Sequence, residues 1–142
     1  MIVIVEMDIG KAELDIKSWI ENFYLHCLKW AHLEMKQSKS WANTIIDSSK
    51  FINITLYDKS KKKHNKSVIN KFGKDRLFAL YQTAMKRTNI VNINDLDQED
   101  TFKEFDSIQK IYDTNIVKNW LINTICKNTR DYDNIMHYLE RV

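Results

Sequence analysis

Apolar residues recur at helical spacing along the first third of the chain. The members of the regular series step by four, three, four and three residues: Ile16, Ile20, Phe23, Cys27 and Trp30. Residues with this spacing lie on one face of an α-helix. Further apolar residues widen that face well past a third of the circumference, which is typical of a helix surrounded by others. The pattern therefore predicts a central helix over residues 11–37.

Two short segments favour a strand instead. Residues 2–5 are a β-branched run, and residues 51–57, with the sequence FINITLY, alternate apolar and polar positions. Both features are typical of strands. The second segment is equally compatible with a helix. The pattern thus leaves open a small two-stranded β element that pairs residues 2–6 with 51–57.

Helical periodicity continues through most of the remaining chain. Residues 38–50 are largely polar, with a few apolar residues among them, and are compatible with a short helix capped by Ser38 or Ser40. Gly73 falls inside the helical segment 67–88, where a glycine costs about 1 kcal/mol relative to alanine and indicates a break or a close helix crossing. Further amphipathic segments follow between residue 101 and the end of the sequence.

Composition supports a helical interpretation of the whole chain. The 142 residues include no proline and two glycines, Gly10 and Gly73, although these residue types usually mark turns and loop corners. No linker-like tract or internal repeat divides the sequence. We predict a mainly α fold, a compact bundle of five to six helices around the central helix, in a single domain over residues 1–142.

The two cysteines, Cys27 and Cys126, have no metal-ligand spacing. The first residues carry no basic region of the secretory type, and no apolar run approaches the roughly 20 residues that span a bilayer. These features predict a cytoplasmic protein with free thiols and no membrane partner.

Charge is distributed unevenly. Residues 59–87 carry ten Lys/Arg and one acid, Asp75, a local net charge of +9, so the remaining residues sum to −6 against +3 for the whole chain. Such a stretch can neutralise phosphates and release counterions. The residues predicted to bind nucleic acid are Lys61, Lys62, Lys63, Lys66, Lys71, Lys74, Lys86 and Arg87. His64 and Phe72 are the nearby rings, and Phe72 is better explained as core.

Known catalytic patterns are missing from the sequence. Two isolated glycines cannot form a phosphate-binding loop, and no metalloprotease, nucleophile-elbow or paired-cysteine motif occurs. The acids at 95–106 fail as a calcium loop, since Asp100 stands where the loop requires glycine. A catalytic pairing of Cys27 with His137 would need a distant histidine brought back by folding. We therefore predict no enzyme activity, no cofactor and no metal.

The sequence thus favours a non-catalytic binding module that engages nucleic acid or a nucleoprotein complex through residues 59–87. The alternative is a protein–protein adaptor or inhibitor that presents an apolar groove or an exposed tryptophan, for which Trp41 is the candidate because its neighbours are small or polar. Lysine outnumbers arginine 18 to 4, a bias that A/T-rich genomes produce. That bias is compatible with phage or viral origin, and equally with a lysine run that serves only solvation.

Overall fold

A computed structural model describes the backbone of residues 2–142 and the side chains of residues 11–142. Helix α1, Ile2–His32, is followed by a 3₁₀ turn at Glu34–Lys36. The predicted central helix is therefore correct up to His32. It ends there because Leu33 leaves the helical region, with φ −119° and ψ 56°.

Eight further α-helices follow in the described part of the chain: α2 Lys39–Leu56, α3 Lys66–Asn70, α4 Lys74–Arg87, α5 Ile93–Asp97, α6 Asp100–Glu104, α7 Ile108–Tyr112, α8 Thr114–Thr124 and α9 Tyr132–Arg141. Four of them, α3, α5, α6 and α7, have five residues each. The mainly α fold is confirmed, and helices of ten residues or more make up its bundle. No described helix is both long and apolar enough to cross a membrane.

The small β element exists at a different place from the predicted one. Strands β1, Tyr57–Asp58, and β2, Lys63–His64, pair antiparallel with Tyr57 opposite His64. Residues 2–6 instead belong to α1, and residues 51–56 belong to α2. The alternation in FINITLY was misleading, since helical spacing from Ile45 and Ile52 places Leu56 in the core.

Local capping explains where two helices begin. The Ser38 hydroxyl accepts a hydrogen bond from the Trp41 amide at 3.2 Å and starts α2, as a serine N-cap does. Gly73, with φ −70° and ψ 172°, is not helical and precedes α4. The predicted segment 67–88 is thus divided into α3 and α4 close to its glycine.

The core surrounds α1, which packs mainly against α2 and α4. Its largest fully buried side chains include Trp30, Tyr24 and Phe23, and aromatic rings of this size dominate the apolar area that a core buries. The Tyr24 hydroxyl donates to the Phe105 carbonyl at 2.7 Å. That bond satisfies a buried polar group and ties the segment after α6 to α1.

Gln37 fastens the C-terminal part of the chain to the α1–α2 connection. Its buried side chain donates to the carbonyls of Trp30 at 2.9 Å and Thr124 at 3.2 Å, and it accepts from the Cys126 amide at 2.7 Å. The Thr129 hydroxyl donates to the Gln37 carbonyl at 2.8 Å. One side chain therefore fixes the end of α8 against the end of α1.

Candidate functional site

The lysine run of the sequence forms the turn of the β1–β2 hairpin. We define the lysine hairpin as residues 57–66. Asp58 organises its turn: one carboxylate oxygen accepts from the Ser60 hydroxyl at 2.6 Å, the Ser60 amide at 2.9 Å and the Lys61 amide at 3.3 Å. These bonds, led by the Ser60 hydroxyl, lower the pKa of Asp58. Lys62 completes the turn with a positive φ of 54°.

Five lysines project from this hairpin into solvent: Lys59, Lys61, Lys62, Lys63 and Lys66. Within residues 11–142, none of them has a carboxylate within ion-pair distance. Asp58, whose carboxylate bonds the turn, is the one acid of the hairpin. Five lysines against one carboxylate leave the hairpin with a net positive charge.

A small cavity of about 180 Å³ lies on the hairpin. Lys61, Lys63 and Lys66 line it together with the Ser67 hydroxyl-bearing side chain. The Asp58 carboxylate lines the same cavity, and the Ser67 hydroxyl already donates to Asn65 Oδ1 at 2.7 Å, so the lysines are its candidate donors to phosphate oxygens. Four of the eight predicted site residues are thus brought together on the hairpin.

The other four predicted residues lie on or beside α4. Lys71 is 3.3 Å from Glu13, Lys74 is 3.9 Å from Asp106, and Arg87 is 3.8 Å from Glu21. Lys86 is exposed and forms no ion pair within residues 11–142.

The cations of α4 are also dispersed along the helix. Lys74 begins α4 and Arg87 ends it, which separates their backbones by about 20 Å at the helical rise. The structure consequently divides the predicted set into a compact hairpin group and a dispersed, partly paired group.

Arg76 shares the Glu13 carboxylate with Lys71 near the start of α4. Its guanidinium donates to Glu13 at 2.8 Å and to the Lys71 carbonyl at 3.1 Å, and it lies 4.3 Å from the centre of the Phe72 ring. The Arg76 hydrogen bond, followed by that of Lys71, lowers the pKa of Glu13. Phe72 is 2% exposed and belongs to the core, as predicted.

An exposed aromatic ring that the sequence analysis missed accompanies the hairpin lysines. Tyr57 is 41% exposed and meets His64 edge to face at 5.5 Å. His64 in turn stacks on Tyr112 at 4.5 Å and lies 2.9 Å from the Asn53 side-chain oxygen. The sequence shows that Tyr57 stands just before the lysine run. Its exposure could not be predicted, because it depends on where α2 ends.

Trp41 lies in the first turn of α2, half-buried, and packs against the core. Among residues 11–142, the most exposed large apolar side chains lie elsewhere, at Val91, Ile54 and Leu14. Trp41 therefore packs against the core, and the exposed part of its side chain remains available to a partner.

The side chains weighed for catalysis are separated. Cys27 is fully buried, and burial raises the pKa of its thiol, whereas His137 is exposed. Asp97 is buried and Asp106 pairs with Lys110 at 2.9 Å, so these two acids do not share a calcium site. Within residues 11–142, no group of three metal-ligating side chains converges.

No known family model matches this chain, and neither the curated proteins nor the solved structures give a match.

Proposed function

We propose that this protein is a non-catalytic module that binds the phosphate backbone of nucleic acid through the lysine hairpin. The observation that supports this function is a group of five exposed lysines on one hairpin, none of them ion-paired within residues 11–142, with Asp58 as the one acid of the hairpin. Lysines that contact phosphates release condensed counterions, which gives strong binding at low salt without base readout.

Single-stranded nucleic acid is the ligand that we propose for this module. Proteins that bind single strands combine a positive groove with aromatic rings on which bases stack. Tyr57 supplies such a ring at the base of the hairpin, with 41% of its surface exposed. Lys61, Lys63 and Lys66 of the same hairpin supply the positive charge for the phosphates.

The hairpin is held firmly enough to act as a binding surface. His64 is stacked on Tyr112, and Asn53 bonds both the His64 ring and the Tyr112 carbonyl, at 2.9 and 3.1 Å. The Asn65 amide of the hairpin donates to the Leu56 carbonyl at 2.8 Å. A preorganised surface loses less conformational entropy on binding.

A cytoplasmic location suits this role. Both cysteines are unpaired, as is usual in a reducing compartment where disulfides are rare.

Charge reversal tests the proposal. Lys61→Glu with Lys63→Glu should weaken binding to an oligothymidylate by at least about tenfold at low salt, because two phosphate contacts become repulsive. Lys50→Glu with Lys127→Glu is the matched control, since both lysines are exposed and lie outside the hairpin. Fluorescence anisotropy between about 50 and 200 mM salt measures both variants. Equal losses in the two variants, or wild-type binding that salt leaves unchanged, would contradict the proposal.

A further inference from the structure

His64 is the one histidine of the lysine hairpin. It lies on β2 beside Lys63, and it lines the same small cavity as Lys61, Lys63 and Lys66. Imidazole is the side chain whose charge ordinarily changes between about pH 5 and 8. A histidine at this surface can therefore add a positive charge to it, provided that one ring nitrogen is free to take up a proton.

The hydrogen bonds of Asn53 fix which ring nitrogen of His64 carries the proton in the neutral form. The Tyr112 carbonyl can only accept, so the Asn53 side-chain nitrogen, at 3.1 Å, is the group that faces it. The Asn53 side-chain oxygen consequently faces His64 Nε2 at 2.9 Å, and this oxygen also can only accept. Nε2 therefore donates, and Nδ1 is the unprotonated nitrogen of the neutral ring.

His64 Nδ1 is open to solvent. It forms no hydrogen bond within residues 11–142, and the buried side-chain atoms that lack a partner there belong to Tyr81 and Asp97 instead. The ring itself is held in place, because it stacks on Tyr112 with ring centres 4.5 Å apart. A proton can thus add at Nδ1 while the ring and its bond to Asn53 stay as they are.

The charged groups around this ring favour its protonation only when a phosphate is bound. The side chains that contact the ring from α2, β1 and α7 are uncharged: Asn53, Tyr57 and Tyr112. The charged side chains that share its cavity come from the hairpin: Asp58, Lys61, Lys63 and Lys66. Three cations against one carboxylate oppose a further positive charge, whereas a bound phosphate offsets them. Protonation of His64 and phosphate binding should therefore favour each other.

We propose, on the basis of the function proposed above, that His64 is a proton-dependent phosphate-binding residue of the lysine hairpin. Its imidazolium donates from Nδ1 to a phosphate oxygen, while Nε2 keeps its bond to Asn53. A charge-assisted hydrogen bond of this kind is stronger than one between neutral groups. The protein therefore takes up a proton from solvent at His64 as it binds the strand, and its affinity rises as pH falls.

The probe is an oligothymidylate, because neither thymine nor the phosphodiester changes charge in the range where histidine titrates. Fluorescence anisotropy measures its affinity for the intact chain between about pH 5.5 and 8 at constant ionic strength. The wild-type affinity should rise by roughly fivefold as pH falls over this range, the lower end of ordinary coupling between two ligands. The His64 ring Cε1–H signal should titrate at a higher pH with the oligonucleotide bound than without it.

Two histidine variants identify the group that takes up the proton. His64→Gln keeps an N–H donor for Asn53 but cannot become charged, so its affinity should not change with pH. His137→Gln is the matched control, since His137 is exposed and lies outside the hairpin, and it should retain the full rise. Far-UV circular dichroism checks that both variants are folded. The ring signal of the wild-type protein decides the question even where His64→Gln does not fold.

The results that contradict this inference differ from those that contradict the proposed function. Three results would overturn the role of His64: a wild-type affinity that stays constant with pH, a rise that persists in His64→Gln, or a ring signal that titrates at the same pH with and without the oligonucleotide. Each of them leaves salt-dependent binding through Lys61 and Lys63 intact. Binding that survives charge reversal of these two lysines would instead contradict the proposed function.

Discussion

Five lysines lie between residues 59 and 66, and four Lys/Arg lie between residues 74 and 87. In the lysine hairpin, no lysine has a carboxylate partner within residues 11–142, whereas Lys74, Arg76 and Arg87 of α4 all have one. The hairpin extends beyond the end of α2, while α4 packs against α1 and faces its acids. The two regions hold similar numbers of cations, five and four, but differ in how many are ion-paired, because neighbouring elements decide which cations meet a carboxylate.

The comparison between the lysine hairpin and α4 is tested most strongly by removing the same number of positive charges from each. Lys61→Gln with Lys63→Gln should lower affinity for an oligothymidylate by roughly tenfold and reduce the salt slope by about 1.4, the value for two contacts to a single strand. Lys74→Gln with Arg87→Gln removes the same charge from two cations that each have a carboxylate partner. This variant should lose less than half as much affinity and salt slope. Anisotropy titrations at several salt concentrations measure both slopes. Equal slopes in the two variants would remove the distinction between hairpin and helix.

The ion pairs of α4 should contribute to the stability of the fold and not to binding. Arg76→Ala should lower the free energy of unfolding by about 1 kcal/mol, because it removes an exposed ion pair and a cation–π contact. Lys61→Ala should stay within about 0.5 kcal/mol of wild type, as expected for a surface lysine without a described partner. Urea unfolding followed by circular dichroism compares the two. A larger loss of unfolding free energy in Lys61→Ala than in Arg76→Ala would contradict this expectation, because the hairpin lysine would then contribute more to stability than the ion pair of α4.

Tyr57 sharpens the comparison by separating stacking from charge. Tyr57→Ala should weaken binding to an oligothymidylate by about fivefold, a value at the lower end for one stacked base, and should leave the salt slope unchanged. Tyr57→Phe, which keeps the ring, should bind as wild type does. Parallel weakening by both substitutions would mean that the hydroxyl, and not the ring, makes the contact.

The smallest expected effect is a dependence of stability on pH. The pKa of Glu13 is lowered from its usual 4.5, first by Arg76 and then by Lys71. The stabilisation from these contacts is therefore present above about pH 4.5 and is lost as pH falls through the lowered pKa. Glu13→Gln should flatten the fall of the unfolding midpoint below that pH. Asp15→Asn, at a site without an ion pair among the described residues, should retain the wild-type fall.

Periodicity predicted the parts of the fold that depend on burial over several turns. The series from Ile16 to Trp30 is buried throughout, and Gly73 lies at a real interruption. The alternation of apolar and polar residues in 51–57 wrongly favoured a strand. Ile54, one of its apolar positions, is 70% exposed on α2. The short strands could not be predicted, because their pairing depends on the turn that Asp58 organises.

The candidate site was predictable only in its lysines. Which cations are compensated depends on contacts such as that of Glu13 with Arg76, 63 positions apart. The buried Asp97 carboxylate likewise bonds His32 across 65 positions. Neither pairing follows from local spacing, because both require the packing of α1 against later helices.

The most direct test of the hairpin as the binding surface is an amide ¹H–¹⁵N titration with an oligothymidylate of about a dozen nucleotides. We predict that shifts concentrate on residues 57–66, with α4 unchanged and the shifts suppressed by added salt. Shifts concentrated on α4, or a spectrum that the oligonucleotide leaves unchanged, would contradict the account.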